Sequence, residues 1–396
     1  MKKILYICIA LTLSLSVYAQ SGQDGNVSWQ ITDSTLTLTG TGSMPDYDYS
    51  ENPSPWHPHR NMIKTVVIEN GLTTIGNSAF ALSPALTSVV LNDSITSIGA
   101  NAFLVCRTLT SISLPDSTKT IGSLAFGACS GLTSIEIPTE VSSIGEGAFS
   151  GCSGLVEINI SADNITYTSL EGIVFSKDET ELFIYPSGKP SPSYTVPDHV
   201  TTLGYGAFLN SENLERLELQ EGLTTIGREA FYNCRNLSVI TIPATVTVIG
   251  DNAFHYCHSL DTIEVHWDTP ITISPSTYTA SSISMATLII PAASKPAYES
   301  STVWSTFGTI TERAGEEDDP TANIPLVASD VSVSYAVGVL YVDSPRPETL
   351  KVYSLTGTLF YTAPKSEGKA VFTPNLPNGI YIVTGSSGWS VKVVVY

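Results

Sequence analysis

The sequence is poor in charged residues, and basic residues are the scarcer kind. Only 14% of its 396 residues are charged, whereas an average globular protein has about 25%. The chain has 18 Lys+Arg and 37 Asp+Glu, which gives a net charge of -19. Long charged surface helices are therefore not expected. Because this charge would repel a phosphate backbone, nucleic-acid binding is excluded as a function.

Long apolar runs are also scarce, and the first of them is short. Residues 4–17 form an apolar run after Lys2 and Lys3, followed by a small-residue cleavage site at 17–19. This pattern predicts a signal peptide over 1–19. Cys8 lies inside the run, so the acylated cysteine of a lipoprotein is not available there. No other stretch reaches about 18 apolar residues, so we expect an exported protein with no membrane-spanning segment after signal removal.

A repeat dominates the following part of the chain. The hexapeptide Ile-Gly-x-x-Ala-Phe, with Leu203 opening the fifth copy, recurs every 23 residues except across one interval of 59 residues. An apolar-x-x-apolar-x-apolar stretch precedes each copy in constant register. Such a fixed period indicates a solenoid in which inward side chains of neighbouring coils stack. The repeat phenylalanines are Phe80, Phe103, Phe126, Phe149, Phe208, Phe231 and Phe254.

Within one coil, the strand pattern separates inward from outward side chains. Leu132, Ile135 and Ile137 are predicted to face the core, and Ser134 and Glu136 the solvent, with the period of two of a β-strand. About six large apolar side chains per coil stabilise it by roughly 1.5–3 kcal/mol each. Ordering its residues costs about 1.5 kcal/mol per residue. One coil is therefore not expected to fold alone, and both ends of the stack need caps.

The repeats resemble leucine-rich repeats of the BspA type, found in bacterial cell-surface proteins, over about 60–265. The resemblance implies a β-rich, right-handed leucine-rich repeat solenoid of 23-residue coils with short strands and turns. Thr118 departs from the pattern, because other coils have Leu, Ile or Val there, and we expect weaker packing around it without interruption of the solenoid. The excess in the long interval is predicted as a hairpin insertion at about 161–193, an arm or protruding loop of a kind common in the family.

Both ends of the repeat array carry candidate caps. Alternation over 27–39 around a turn predicts a hairpin, and we assign residues 20–60 to an N-terminal cap. The repeats are assigned to 61–267. Residues 268–311, with an apolar strand followed by Tyr298 and Trp304, resemble the matching C-terminal cap of the family.

Two segments follow the caps. Residues 312–325 are charged, contain proline and lack an apolar period, which predicts a linker. Residues 326–396 alternate in short strands and predict a small C-terminal β-sandwich. The stretches 352–357, 376–383 and 392–395 look like the C-terminal sorting domain of type IX secretion cargo of Bacteroidota. That resemblance implies a location at the outer-membrane surface or outside the cell.

The five cysteines after the signal peptide occupy one repeat position. Cys106, Cys129, Cys152, Cys234 and Cys257 each stand three residues after a repeat phenylalanine, where Ser83 and Ser211 replace them in other coils. The strand spacing of about 4.8 Å permits disulfides between neighbours, so thiols, disulfides and a metal site all stay open. A buried thiol ladder is favoured, because a single-file row lacks the tetrahedral arrangement that zinc prefers.

Other polar residues point to no catalytic or metal-binding set. His255, His258 and His266 are interpreted as surface histidines rather than metal ligands. Asp46, Asp48 and the acidic stretch 316–319 lack the spacing of a calcium loop and are interpreted as solvated loop charge. No serine, histidine and aspartate set stands out from the repeat consensus. We therefore expect no enzymatic activity, no cofactor and no metal.

The outward strand residues form two lanes along the solenoid, mostly small and polar or acidic. A wide, rigid array suits many modest contacts with an extended protein or glycan; the alternative is that these residues only solubilise an exposed sheet. One lane is Thr65, Ser88, Ser111, Ser134, Glu157, Arg216, Val239 and Thr262, and the other is Val67, Val90, Ser113, Glu136, Asn159, Glu218, Thr241 and Glu264. The candidate ligand-binding residues are Ser134, Glu136, Glu157, Asn159, Arg216, Glu218, Thr262 and Glu264.

The family resemblance gives these lanes a functional direction. It implies a monomeric adhesin or protein-binding module that recognises host extracellular matrix or a protein of another bacterial surface. The alternative is a structural or glycan-capturing surface component without a specific protein ligand. Carbohydrate binders usually present exposed aromatic side chains, and the lanes have none, which favours a protein ligand.

Overall fold

The computed structural model describes residues 20–313, 332–336, 339–344, 348–354, 359–366, 368–374, 376, 379–385 and 390–395. The chain divides into two compact units, residues 1–312 and 313–396. The predicted signal peptide, and the predicted linker apart from its first two residues, lie outside the described residues.

Short strands and turns build the first unit, with very little helix. Its strands are β1 (Gln20–Asp24), β2 (Val27–Thr32), β3 (Thr35–Gly40), β4 (Gly42–Ser43), β5 (Thr65–Ile68), β6 (Leu72–Ile75), β7 (Ser88–Val90), β8 (Ser97–Ile98), β9 (Thr120–Ile121), β10 (Ser134–Ile137), β11 (Ser143–Ile144), β12 (Glu157–Ile160), β13 (Tyr167–Leu170), β14 (Ile173–Ser176), β15 (Glu181–Ile184), β16 (Ser193–Thr195), β17 (Thr202–Leu203), β18 (Arg216–Glu218), β19 (Thr225–Ile226), β20 (Val239–Ile242), β21 (Val248–Ile249), β22 (Thr262–Val265), β23 (Thr287–Ile290) and β24 (Thr309–Glu312). Helical turns lie at His57–His59, α1 (Lys295–Glu299) and Trp304–Thr306.

Parallel pairing joins successive coils and confirms the predicted β-solenoid. Ser134 pairs with Glu157 on one set of strands, and Ser97 with Thr120 on the other, each 23 residues apart. The strands that begin each coil are β5, β7, β10, β12, β16, β18, β20, β22, β23 and β24, and we call them the lane strands. The shorter second strands lie in sheets of the orders β11-β9-β8-β6-β4 and β13-β14-β15-β17-β19-β21.

The repeat phenylalanines stack into columns through the core. Ring centroids lie 5.3 Å apart between Phe80 and Phe103, and 5.5 Å between Phe126 and Phe149. Trp56 of the N-terminal region extends the first column at 5.8 Å from Phe80. Stacked rings at this distance add to the area that each coil buries, so the caps continue the core rather than only covering it.

The cysteines form buried ladders of free thiols. Cys106, Cys129, Cys152, Cys234 and Cys257 are all buried and unbonded to one another. Each Sγ donates a hydrogen bond to the main-chain carbonyl of a repeat phenylalanine in the preceding coil. The cysteines are therefore buried thiols, the arrangement that the spacing favoured.

The coil that contains Thr118 is also where the lane sheet is interrupted. Thr118 is fully buried, and its hydroxyl is 3.4 Å from the carbonyl oxygen of Ile95. Residues 111–114 form no regular strand, although Ile112 and Leu114 keep the predicted inward register. The lane strands β5 and β7 therefore lie in one sheet, ordered β1-β2-β3-β5-β7, and β10 and β12 lie in another, while the core runs on without a break.

The two ends of the solenoid are built differently. At the N-terminus, β2 and β3 form the expected hairpin, β1 adds a third antiparallel strand, and β3 pairs in parallel with β5. At the C-terminus, β23 and β24 continue the parallel lane sheet by two further strands. Tyr298 and Trp304 are buried there, and the Tyr298 hydroxyl donates to the carbonyl of Trp267 at 2.7 Å.

The insertion is part of the solenoid core and does not project as an arm. Strands β13, β14 and β15 pair antiparallel, and β15 then pairs in parallel with β17 of the next coil. Phe175 and Leu182 are buried, and the Tyr185 ring stacks 5.0 Å from Phe208, in the place where a repeat phenylalanine would stand. The predicted hairpin is present as β14 and β15. The prediction that it protrudes is wrong, because these apolar side chains gain more from burial in the stack than from exposure.

The second unit contains two small antiparallel sheets. Its strands are β25 (Ser332–Ala336), β26 (Val339–Ser344), β27 (Glu348–Ser354), β28 (Leu359–Lys365), β29 (Gly368–Phe372), β30 (Gly379–Gly385) and β31 (Ser390–Val395). They are ordered β25-β26-β29 in one sheet and β28-β27-β30-β31 in the other. Leu340, Val352 and Val383 are among the residues of their buried core.

Candidate binding surface

The first four candidate residues lie together on β10 and β12. Ser134 is directly opposite Glu157, and Glu136 is directly opposite Asn159, across a parallel strand pair. Ser134, Glu136 and Glu157 are exposed, and Asn159 is half-buried. The inward residues between them, such as Ile135 and Ile158, are buried, which fixes the orientation of the outward set.

The other four candidates lie on a separate lane sheet. Arg216 and Glu218 on β18 are exposed, whereas Thr262 and Glu264 on β22 are half-buried. The register places Arg216 in line with Val239 and then Thr262, and Glu218 in line with Thr241 and then Glu264. The structure thus aligns these residues as predicted, but Glu157 and Arg216 are not neighbours.

The insertion separates the two halves of the predicted lanes. The Gly172 carbonyl accepts a hydrogen bond from the Ile158 amide at 2.9 Å, and the Ser169 hydroxyl accepts one from the Ile160 amide at 3.0 Å. Gly172 has a positive φ, and a Cβ there would lie 2.5 Å from the Cβ of Glu157, so only glycine fits. The insertion therefore occupies the edge of β12, where the next lane strand would otherwise pair.

Strand β16 supplies lane residues that the sequence analysis did not include. Ser193 pairs with Arg216, and Thr195 pairs with Glu218, whose carboxylate accepts a hydrogen bond from the Thr195 hydroxyl at 3.0 Å. The signal was present, because residues 194–197 have the same pattern as 240–243. The hexapeptide register alone does not reveal β16, because no copy of Ile-Gly-x-x-Ala-Phe stands directly before this strand.

The charges of the second lane sheet are partly balanced within the protein. His266 lies 3.5 Å from a carboxylate oxygen of Glu264 and 3.8 Å from one of Glu221. His266 therefore contacts two carboxylates and does not cluster with His255 and His258. Within the described residues, no group of three or more His, Cys, Asp or Glu side chains could hold a metal ion.

His255 and His258 belong to an aromatic cluster on the turns after the repeat phenylalanines. Tyr232 and His255 stack at 5.0 Å between ring centroids, and Tyr256 packs edge-on against both. His258 lies 5.7 Å from Tyr256, whose side chain is exposed. This exposed aromatic surface was not predicted, because it lies on the turns and the lane residues include no aromatic side chain.

The acidic residues of the N-terminal cap have local structural roles. A carboxylate oxygen of Asp46 accepts a hydrogen bond from the Asn77 amide at 2.8 Å. Asp48 accepts bonds from the amides of Ser50 and Glu51, and from the Ser50 hydroxyl, which lowers the pKa of its carboxyl group. These carboxylates therefore stabilise turns by binding backbone donors. Residues 316–319 lie outside the described residues.

A cleft opens where the insertion interrupts the phenylalanine column. It encloses about 190 Å³ between the coil that ends at Phe149 and the coil that begins near Tyr205. Tyr167, Phe183 and Tyr185 of the insertion form one wall. The same cleft is lined by Glu146 and Glu181, so its surface combines aromatic rings with carboxylates.

The two coils on either side of the cleft also contact each other directly. The Asn210 side chain donates a hydrogen bond to the Ser150 hydroxyl at 2.7 Å, although the two residues are 60 positions apart. The Tyr205 hydroxyl donates to Glu229 at 2.6 Å, and the guanidinium of Arg228 lies 5.6 Å above the Tyr205 ring. Hydrogen bonds and packing therefore hold the shape of the cleft on both sides.

Among the described residues, no helix is long and apolar enough to cross a membrane. This finding covers residues 20–313 and the described strands of the second unit.

Comparison with known proteins places the solenoid among bacterial repeat proteins. A leucine-rich repeat protein from Eubacterium ventriosum is 27% identical, with a TM-score of 0.57, and the match covers 68% of this chain and 78% of that one. A leucine-rich repeat protein from Bacteroides ovatus is 21% identical, with a TM-score of 0.46, covering 74% of this chain and 76% of that one. A leucine rich cell surface protein from Faecalibacterium prausnitzii is 19% identical, with a TM-score of 0.41, covering 75% and 96%. No curated protein matches the chain.

The family comparison is consistent with the repeat geometry described above. The family described as BspA type leucine rich repeat region matches residues 59–181 and 185–300, in six copies. The leucine-rich repeat fold is a binding scaffold, and the match indicates no catalytic family. Since this match covers more than half of the sequence, the chain belongs to the BspA-type leucine-rich repeat proteins.

Proposed function

We propose that the protein is an adhesin or protein-binding module that recognises host extracellular matrix or a protein of another bacterial surface. The observation that carries the proposal is the continuous parallel sheet from β16 to β24, which presents exposed side chains such as Arg216 and Glu218. Parallel strands lie about 4.8 Å apart, so an extended partner can touch several coils at once. Many modest contacts on a rigid array then add up to useful affinity.

The charge of the surface favours a basic partner. Glu136 and Glu157 project from one lane sheet and Glu218 from the other, and the whole chain is acidic. Complementary charge steers association more than it adds affinity, and salt screens it. We therefore expect the association rate with a protein ligand to fall as ionic strength rises.

An array of immobilised matrix proteins, bacterial surface proteins and glycans, probed with the full chain, tests the proposal. Charge reversal then locates the site: Glu136→Lys with Glu157→Lys on one lane sheet, and Glu218→Lys with Glu264→Lys on the other. Glu69→Lys with Glu140→Lys is the matched control, because both residues are exposed and lie outside the lane strands. At least one lane pair should weaken binding of an identified ligand. Unchanged affinity for both lane pairs would place the site elsewhere.

A glycan-capturing surface component is the second candidate, and the aromatic cluster favours it. Tyr256 is exposed and packs against Tyr232 and His255, which gives a surface on which a sugar ring can stack. Binding to array glycans that is lost in Tyr256→Ala, while the lane reversals leave it unchanged, would support this candidate over the first.

The surface location is proposed from the sequence features at the two ends of the chain. The 1–19 segment would direct export across the inner membrane, and residues 326–396 would act as a type IX sorting domain that directs the protein to the outer-membrane surface. Deleting 326–396 in the native host and locating the product by surface proteolysis tests this role. Surface display that persists without the segment would make it a spacer.

A monomeric mass by light scattering is expected for the secreted protein.

A further inference from the structure

The cleft beside the insertion has features that the repeat architecture does not require. A regular 23-residue step would place one phenylalanine ring on the next, as it does between Phe126 and Phe149. Here the column stops at Phe149 and resumes with Tyr185 and Phe208, and the cleft lies beside the interruption. The space of about 190 Å³ is smaller than the ~300–1,000 Å³ of typical small-molecule sites. It therefore has the size for a single side chain or one small ring.

The charges around the cleft are predominantly negative. Glu146 is exposed at its rim and Glu181 is half-buried within it. Asp178 acts electrostatically on Glu181. The nearby cation is Arg228, and it is already paired with Glu229 at 2.9 Å. Among the ion pairs of the described residues, none includes Glu146 or Glu181.

Burial without a cation nearby disfavours the ionised form of a carboxyl group. Burial, followed by the charge of Asp178, raises the pKa of Glu181. A cationic ligand that reached Glu181 would offset both effects, because an opposite charge stabilises the ionised carboxylate. Partly buried aromatic rings beside such a carboxylate are the surroundings that favour a guanidinium group, because its flat face packs on rings while its edge donates two hydrogen bonds to a carboxylate.

We propose that the cleft lined by Phe149, Tyr167, Phe183, Tyr205, Glu146 and Glu181 binds an arginine side chain of the protein partner. The inference rests on the proposed protein-binding function for the origin of the arginine. Phe149, Tyr167 and Tyr185 are each at most 6% exposed, so the half-buried Phe183 and Tyr205 rings supply the accessible aromatic surface. A sugar ring fits the cleft less well, because the two carboxylates give an uncharged ring no electrostatic advantage.

The test uses the full chain and a short acetylated and amidated Gly-Arg-Gly peptide, with the isosteric citrulline peptide as neutral control. Binding is followed by the NMR amide signals of Gly145, Gly147 and Gly206, which line the cleft. The arginine peptide should shift these signals, and the citrulline peptide should bind roughly tenfold more weakly or worse, since hydrogen bonds to charged groups are the stronger ones. Glu181→Gln should weaken arginine binding by a similar factor.

Two controls keep the result interpretable. Glu140→Gln removes an exposed carboxylate in the same coil as Glu146. Because Glu140 does not line the cleft, this variant should leave peptide binding unchanged. Glu146→Gln, at the exposed rim, provides a second cleft variant should Glu181→Gln not fold. The thermal unfolding midpoint of each variant is measured first.

Several outcomes would overturn the proposal. These are equal binding of the two peptides, shifts with methyl glycosides but not with the arginine peptide, and no shift at the solubility limit of the peptide. Because the peptide test needs no partner, its failure is separate from that of the proposed function. Arginine binding with no ligand on the array would count against the adhesin proposal alone.

Discussion

The Sγ of Cys129 donates a hydrogen bond to the main-chain carbonyl of Phe103 at 3.1 Å, from one coil to the coil before it. The other cysteine positions repeat this bond at 3.0 to 3.2 Å. Serine at the same repeat position does not reproduce it, because the buried hydroxyl of Ser211 has no hydrogen-bond partner among the described residues. The cysteine column is thus a hydrogen-bonding element of the core as well as an apolar one.

The thiols should not react in the folded protein. Burial raises the pKa of Cys129 and Cys234 to about 12, so almost no thiolate forms at neutral pH. Titration of the chain from Gln20 onward with a chromogenic disulfide should detect five thiols only after denaturation. Rapid labelling of the native protein, or a mass below that of the fully reduced chain, would contradict this prediction.

Replacing Val105 by asparagine should stabilise the protein. Val105 has a φ of 62°, in the left-handed region, and the equivalent positions of later coils are Asn210 and Asn233, both at 61°. A β-branched residue is strained there, and left-handed backbone costs about 1–2 kcal/mol for residues other than glycine, asparagine or aspartate. Val105→Asn should raise the free energy of unfolding in urea by about 1 kcal/mol. The reciprocal Asn233→Val should lower it; an opposite sign for either would refute the argument.

Thr118→Val should also be stabilising. The Thr118 hydroxyl is fully buried, and its bond to the Ile95 carbonyl is long, at 3.4 Å. Valine has nearly the same shape and removes a poorly compensated polar group, so we expect a gain of about 0.5–1.5 kcal/mol in the free energy of unfolding. Thr96→Val, at a half-buried hydroxyl that bonds to the Thr73 carbonyl at 3.1 Å, is the control and should bring no gain. A loss of stability in Thr118→Val would show that the bond matters.

An interior ring and the last ring of a phenylalanine column should differ in their contribution to stability. Phe126 stacks on a ring on each side, at 5.4 Å and 5.5 Å, whereas Phe149 has a ring neighbour on one side and the cleft on the other. Phe126→Ala should cost about 3–5 kcal/mol because it leaves a closed cavity in the core. Phe149→Ala should cost less, since its void merges with the cleft. Urea unfolding of both variants measures the difference; equal losses would mean that the cleft does not relieve the packing.

Glu181 should make the stability depend on pH. Burial and Asp178 raise the pKa of its carboxyl group in the folded state above the ordinary value of 4.5. The folded state therefore prefers the protonated form, so this contribution to stability is present below pH 4.5 and is lost as the pH rises through the raised pKa. Compared with the wild type, Glu181→Gln should be more stable at neutral pH and equally stable at pH 4. Parallel unfolding midpoints over this range would contradict the assignment.

The amino-acid sequence alone determined the repeating parts of this protein. The 23-residue period fixed the solenoid, and the alternation in Leu132 to Ile137 fixed which side chains face the core, as their burial confirms. The cysteine column followed from the same spacing. Such features can be predicted because each coil repeats the local pattern of the previous one, and a parallel stack converts a constant sequence offset directly into a constant neighbour.

Only the tertiary structure decided what happens where the period is broken. The path of residues 161–193 depends on partners that are remote in sequence, such as Phe208 for Tyr185. The edge of β12 is taken by Gly172, which separates β10 and β12 from the lane sheet that begins at β16 and leaves the cleft beside Glu181. No periodic pattern encodes these contacts, because they arise from the shapes of particular side chains that meet once in the fold.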